Sequence, residues 1–341
     1  MLLKNILKSA LLCCVAFSFA ACDDDLSSES IFDDKDEVLD PTSFSYQLDK
    51  FLADTYLAEY NLQFRYKMQD VGADMNYNLV PASYANSVDL AVLTKYLWFE
   101  VYDVCAGPQF LKTYGPRILH LIGSPAYNPF SGTMILGLAE GGLKVTLFKV
   151  NTMNVHSFEN LNEFYFKTMH HEFSHILHQT KTYPKEFAEI STSFYDPLGW
   201  QDRNEKATAS LGFTSNYASS EPREDFAETV ANFITMTDAR WNQLLEDATK
   251  GWEPIEDEYG IPQTDAENRP ICKQVEDFDG VDGKAVILQK VEIIRQWFAS
   301  AWGLDLDKLR AEVQFRQKNY NIEELRKQVY DIPVENNTNK E

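Results

Sequence analysis

Positive charge is what this chain has least of. Across 341 residues Lys+Arg is 31 against Asp+Glu 52, a formal net charge of −21. A surface that acidic repels phosphate backbones, which excludes nucleic acid as a partner. Histidine is scarce, at six, cysteine numbers five, and no internal repeat is visible. No apolar run is long enough for a permanent membrane span: the most pronounced one, Ser9 to Ala21, is too short. Aromatic residues are plentiful. With 22 Phe, 17 Tyr and 6 Trp the chain cannot be disordered throughout, and its length fits one large domain or two small ones around a sizeable core.

The short apolar run has its own logic. Lys4 and Lys8 sit at its front and it closes on Phe19-Ala20-Ala21-Cys22, which resembles a bacterial lipobox cut just before the cysteine. The resemblance implies a signal peptide over residues 1–21 and lipid on the thiol and new N-terminus of Cys22; the alternative is an ordinary secretory signal with an incidental cysteine. Residues 22–40 carry nine acids and one base, Lys35, and should form a solvated, extended tether. Acids directly after a lipidated cysteine resemble the surface-export signal of some Gram-negative lipoproteins. The implied setting is the cell envelope, lipid-anchored at the outer membrane and exposed at the surface. Loss of Lys4 and Lys8 with the signal takes the net charge from −21 to −23. Cys13 and Cys14 leave as well, so only Cys105 and Cys272 remain, either paired in an oxidising compartment or free.

The folded region is expected over residues 41–330, sheet-bearing to about 180 and mainly helical from 181, with a polar tail over 331–341. Phe44, Leu48, Phe51, Leu52 and Tyr56 predict a helix over Thr42 to Ala58, and the alternation from Asn61 to Met68 predicts a half-buried strand. Asp89 reads as the cap of a second helix carrying Leu90, Leu93, Leu97 and Trp98. Three strands are expected, at Arg117–Gly123, Thr133–Ala139 and Leu143–Val150, the last two joined by Glu140-Gly141-Gly142 as a hairpin. Tyr259 to Gly280 reads as a long polar loop, and Trp302-Gly303 separates two closing helices at Lys284–Ala301 and Asp305–Gln317.

One stretch carries chemistry. His171-Glu172-Phe173-Ser174-His175 is an HExxH motif, and four of the six histidines fall between 170 and 178. On a helix, residues i and i+4 share a face, so both imidazoles can reach one ion at about 2.0–2.1 Å. Glu172 stands beside them, placed to handle a proton of the attacking water. Catalytic zinc wants a third protein ligand and an open position. The metzincin pattern would need Gly at His178 and His at Lys181, so that class is excluded. His178 lies one turn beyond His175, yet three ligands from one rigid helix fit a tetrahedron poorly. Its reading is a supporting or rim position, with ligation as the minor alternative.

The third ligand is expected from a second helix beginning at Pro222, where Glu224 and Glu228 are i and i+4 on one face. Glu224-Asp225-Phe226-Ala227-Glu228 resembles the E-x-F-A-E helix of gluzincins, whose first Glu is the metal ligand. In some gluzincins a Tyr seven residues earlier polarises the substrate carbonyl, and Tyr217 stands seven before Glu224. Glu228 then suits a partner that fixes the tautomer of a ligand imidazole. The competing source is Lys185-Glu186-Phe187-Ala188-Glu189, which repeats E-F-A-E 11 to 14 residues after His175 but has no Tyr seven before its first Glu.

HHEFSHILHQ, Tyr183-Pro184 and the closing WGLDLDKLR (302–310) together resemble the zinc-binding metallopeptidase lipoproteins often encoded beside SusC/SusD-type nutrient importers, over about residues 42–320. The resemblance implies an α+β, zincin-like fold: a small mixed sheet packed on the HExxH helix, then a mainly helical C-terminal part. It implies one Zn²⁺ on His171, His175 and Glu224, with Glu172 as general base and Tyr217 as oxyanion donor. The implied substrate is a peptide or protein, lying along an edge strand for which Leu143–Val150 is the candidate. Importer components are the implied partners. The alternative is a non-catalytic binding lipoprotein that keeps a vestigial zinc site.

Cys22→Ala should move the protein from the membrane fraction to the soluble fraction without lowering its melting temperature, because only the tether changes. Fractionation followed by a thermal melt checks this, and full membrane retention of the variant would count against lipid anchoring.

Overall fold

A computed structural model of the chain describes residues 39–68, 78–127, 134–135, 137–140, 144–266, 268–277 and 280–334. The signal peptide, Cys22, nearly all of the acidic tether, the Gly141-Gly142 turn and the end of the tail lie outside the described residues. The chain divides into two units after Asp40, and the helices and strands below all belong to the second, Pro41–Glu341. No helix among the described residues is long and apolar enough to cross a membrane.

A four-stranded sheet forms the first layer: β1 (Gln63–Arg65), β2 (Ile118–Leu121), β6 (Lys144–Leu147) and β5 (Gly137–Glu140), in that spatial order. β1, β2 and β6 run parallel, and β5 pairs antiparallel with β6 from Gly137↔Leu147 to Glu140↔Lys144. The sheet is therefore mixed, and the expected β5–β6 hairpin pairing is present. Leu143–Val150 is not the edge, however. Its strand β6 is hydrogen-bonded on both sides, and Leu119, Leu121, Val145 and Leu147 are buried. The free edge beside β6 belongs to β5, which also lies against the HExxH helix. The predicted strand Thr133–Ala139 is split: β4 (Met134–Ile135) pairs with β3 (Ala126–Tyr127) in a separate ribbon, while β5 joins the main sheet.

Helices cover the sheet. The first comprises α1 (Tyr46–Leu52), a π-helical turn Ala53–Leu57 and α2 (Ala58–Tyr60), and it ends where Asn61 adopts φ 54°. Leu48, Phe51, Leu52 and Tyr56 face the core as their spacing predicts, but Phe44 precedes the helix and is 83% exposed. The strand after it keeps only three residues in the ladder, although Leu62, Phe64 and Tyr66 are all buried. α3 (Tyr84–Thr94) is capped by Ser83, whose Oγ accepts the Asn86 N–H at 3.2 Å. Asp89 is inside that helix rather than at its cap. It is tolerated there because Arg326 grips both its oxygens, Nε–Oδ1 at 2.6 Å and Nη2–Oδ2 at 2.9 Å. α4 (Glu100–Ala106) and α5 (Gln109–Tyr114) complete this half.

The second half is built on α6 (Phe158–Leu161), a π turn Asn162–Phe166, α7 (Lys167–Thr180), α8 (Lys185–Ile190), α9 (Glu205–Ser210), α10 (Pro222–Thr235) and α11 (Asp238–Asp247). α12 (Gly283–Trp297), α13 (Leu306–Asn319) and α14 (Ile322–Tyr330) close the chain. Gly303 at φ 64° ends the π turn after α12, as the Trp-Gly pair predicts. The segment read as a long polar loop is partly a β-arm. Its strand β8 (Cys272–Val275) pairs antiparallel with β7 (Gly251–Pro254), and the bridges Glu256↔Pro262 and Thr264↔Pro270 continue it outward. Its polarity reflects exposure on both faces, which hides the period-2 signal of a strand. Cys105 and Cys272 are both free.

One buried ion pair ties this half together. Lys290 Nζ on α12 meets Asp225 Oδ2 on α10 at 2.6 Å, with both side chains fully buried. Tyr195 Oη donates to the same carboxylate at 2.8 Å, and Lys290 donates to the Gly212 carbonyl at 2.8 Å. Gly212 sits at φ +88°, where a Cβ would lie 2.2 Å from Val286 Cγ1, so only glycine presents that carbonyl. Burial raises the Asp225 pKa and lowers that of Lys290, each opposed by the other's charge.

Asp225→Asn keeps the shape but strands a buried ammonium, and should cost about 3–5 kcal/mol of stability. Urea unfolding should show the loss, and adding Lys290→Met to the same chain should recover most of it. Equal stability of Asp225→Asn and the parent would mean the pair is not ionised.

Candidate metal centre

The stripe Leu161, Phe164, Phe166, Met169, Phe173 and Leu177 is buried and seats α7. Phe173 packs edge-on against Trp98 and Tyr102, at ring-centroid distances of 5.4 and 5.1 Å. With that face fixed, His171, Glu172 and His175 turn toward α10. Lys167 pairs with Glu228 while His175 pairs with Glu224, so the two helices run antiparallel.

Three donor atoms converge there. His171 Nε2 lies 3.1 Å from His175 Nε2 and 3.1 Å from Glu224 Oε2, and His175 Nε2 lies 3.2 Å from the same oxygen. A tetrahedral ion with bonds of about 2.0–2.1 Å needs its ligand atoms roughly 3.3 Å apart, so the triangle fits zinc. The ligating atoms of Glu172, His171 and His175 all fall within 4.8 Å of one another. The Glu172 carboxylate makes no hydrogen bond among the described residues, and burial raises its pKa against the pull of the two imidazoles.

The outer ring nitrogens are spoken for. His171 Nδ1–H donates to Glu228 Oε1 at 3.0 Å. His175 Nδ1 lies 2.8 Å from His178 Nε2. Burial lowers the His178 pKa to about 4, so that ring is neutral and can accept. With both Nδ1 atoms taken by these partners, the two Nε2 atoms are the ones that face the triangle. Burial also works against a charged His171, yet hydrogen bonds to Glu224 and Glu228 outweigh it and raise its pKa to about 10. Glu224 is held well below the usual carboxylate range, burial being overcome by the same two imidazoles. An arriving dication would therefore displace a proton from His171.

Each predicted residue can now be placed. His171, His175 and Glu224 form the triangle and Glu172 adjoins it. Glu228 backs His171 and His178 backs His175. Tyr217 stacks on the His171 ring at 5.8 Å and 27°, and burial followed by the Glu224 charge raises its pKa. The competing segment does not take part: Glu189 is exposed on α8 and pairs with Lys185 at 2.5 Å. Three supports escaped the sequence reading. Lys167 Nζ reaches Glu228 Oε2 at 2.8 Å, Ser215 Oγ donates to that oxygen at 2.5 Å, and Asn232 Nδ2 lies 3.4 Å from it. Lys167 was findable, since it lies four before His171 on the same stripe. Ser215 was not, because a loop residue has no period.

A family model described as "Putative zinc-binding metallo-peptidase" matches residues 42–307, and the chain belongs to that family. No curated protein matches it. Among solved structures, a crystal structure titled a putative zinc-binding metallo-peptidase from Bacteroides caccae ATCC 43185 is 37% identical. That alignment covers 82% of this chain and 93% of the other, with a TM-score of 0.64.

The triangle predicts that Glu224→Ala loses the zinc that the parent retains after dialysis, at about one ion per chain, and that Glu189→Ala keeps it. Elemental analysis separates the two. Zinc retained by Glu224→Ala and lost by Glu189→Ala would reverse the assignment.

Proposed function

We propose that the chain is a zinc-dependent peptidase, held in the cell envelope by lipid on Cys22. What carries the reading is the 3.1–3.2 Å triangle of two imidazoles and one carboxylate, beside a carboxylate that makes no hydrogen bond among the described residues. Two neutral imidazoles and one carboxylate are the donor set of a hydrolytic zinc site, and His171, His175 and Glu224 would hold the ion. When bound, zinc supplies a Lewis acid that brings the pKa of water to about 7.

The chain's own groups would do the rest. Glu172 takes a proton from the attacking water and returns it to the departing amine; its raised pKa suits a group that must do both. Tyr217, stacked on the His171 ring, is the candidate donor to a substrate oxyanion. Glu228, pinned by Lys167 and Ser215, keeps His171 in one tautomer. The free edge of β5, packed against α7, offers backbone for a peptide to add as a strand. The lipobox-like Cys22 and the acidic run after it support an outer-membrane setting, with importer components as partners.

Glu172→Gln should keep zinc and fold while losing about 10²–10⁴-fold in peptide hydrolysis, since the amide preserves the helix and cannot accept the proton. Tyr217→Phe should lose less. The readout is kcat/KM on a peptide found by digesting a diverse library, with zinc content measured alongside. If zinc-loaded wild type cleaves nothing in that library, the binding-lipoprotein reading replaces this one. Should Glu172→Gln cleave at the wild-type rate with zinc bound, the base is another group.

A further inference from the structure

Tyr217 joins the metal centre to one more aromatic ring. Trp200 packs on Tyr217 at 4.8 Å between ring centroids and 58°, and Tyr217 in turn lies 5.8 Å from the His171 ring. The Trp200 ring is thus no more than about 11 Å from that of His171, the span of roughly three extended residues at about 3.3 Å each. The charges of Glu224 and Glu172 both act on the Tyr217 hydroxyl, so the ring that links the two stands in the field of the ligand carboxylate and of the candidate base. Water reaches this group: Tyr217 is 37% exposed, and the side chains of His175 and Glu224 keep 15% and 16% of their surface.

The backbone fixes Trp200 in that position. It opens a short 3-10 turn, Trp200–Asp202, just after Asp196-Pro197-Leu198-Gly199. Asp196 Oδ1 accepts the Gly199 N–H at 2.8 Å, and the Asp196 N–H donates to the Ser219 carbonyl at 2.7 Å. Beyond Trp200, the Arg203 carbonyl accepts from Asn216 Nδ2 at 2.6 Å. The turn is therefore strapped on both sides of Trp200 to residues on both sides of Tyr217, and the two rings keep one relation. Yet Trp200 is only partly buried, and Tyr217 is its one ring contact among the described residues. Leu198, two residues earlier on the same turn, is 94% exposed. An indole held rigid at the surface adds little to the core, whereas a preorganised aromatic face binds an apolar side chain at small entropic cost.

We propose that Trp200 is a specificity-determining residue of the site, its indole receiving a large apolar side chain of the substrate, aromatic above all, from a position within three residues of the cleaved bond. The proposal rests on the peptidase reading and names the substrate class of that site.

The test uses the zinc-loaded chain and peptides that differ only in Phe, Leu or Ala at each of the three positions on either side of the cleaved bond. At one position kcat/KM for Phe should exceed that for Ala by about tenfold, the scale of burying half of a large apolar side chain, with Leu between them. Trp200→Ala should bring the Phe/Ala ratio to within about twofold of unity at unchanged zinc content, and Trp200→Phe should keep most of it. A fall in kcat/KM shared equally by Phe and Ala peptides would mean that Trp200 only supports Tyr217. That result, or equal rates for Phe and Ala in the parent at every position, would overturn the proposal and leave the peptidase reading standing. If nothing is cleaved, the peptidase reading falls, and calorimetric binding of the same peptides decides the role of Trp200: tighter binding of the Phe peptide that Trp200→Ala abolishes supports it, equal binding overturns it. Should Trp200→Ala not fold, Trp200→Leu must lower the Phe/Ala ratio roughly threefold through loss of the ring pair, and an unchanged ratio would overturn the proposal.

Discussion

The structure turns on one buried carboxylate. Glu228 is 3% exposed at the crossing of α7 and α10, where an unpaired negative charge would be prohibitively costly. Its two oxygens are therefore committed in full. One takes the His171 Nδ1–H, and the other takes Lys167 and Ser215. These contacts lock the two helices and the loop 211–221 to a single point. They hold the Glu228 pKa well down against burial, with the Lys167 charge as the largest opposing cause. Because His171 is one of the partners, the same point orients the inner nitrogen of that ring toward His175 and Glu224.

Helical periodicity then sorts three acids that stand almost together. Glu224 and Glu228 share one face of α10 and meet the histidines of α7. Asp225 is turned about 100° away and meets Lys290 of α12 instead. So α10 is fastened on two sides, by a site that can hold a metal and by a purely structural ion pair. Both use the loop before it: Ser215 serves Glu228, and the Gly212 carbonyl serves Lys290. A disturbance of Asp225 would be felt by Glu224 through the helix they share.

Aromatic packing holds the exit of α7. Tyr183 stacks on Phe226 at 4.4 Å and 10°, Phe226 meets Trp297 edge-on at 5.1 Å, and His178 packs against both Tyr183 and Phe226. This cluster keeps His178 dry and neutral, which is what lets it accept from His175. The sharp return after Thr180 brings α8 under α10 without bringing its glutamates to the histidines, since Phe187 is the residue buried there. The repeated E-F-A-E pattern thus stands once at the candidate metal centre and once in packing.

Much of the centre was legible because its information is local. His171, Glu172 and His175 are read from spacing within one helix, and Glu224 from the resemblance of its segment, with Tyr217 seven residues before it, to the gluzincin E-x-F-A-E helix. Hydrophobic spacing likewise sufficed for the buried faces of α1 and α7, and the Gly-Gly turn signal for the pairing of β5 with β6. What tertiary structure alone decided is non-local. Sheet order made β5 rather than β6 the edge, because pairing partners far apart in sequence choose which strand is covered. Asp89 was free to sit inside a helix only because Arg326, 237 residues later, neutralises it there. The arm beyond the β7–β8 pairing, from Glu256 to Thr264, is largely exposed and so carries no alternation to read. Ser215 and Asn232 reach their places through the crossing of helices, and a crossing angle leaves no mark on the spacing of residues in any one of them.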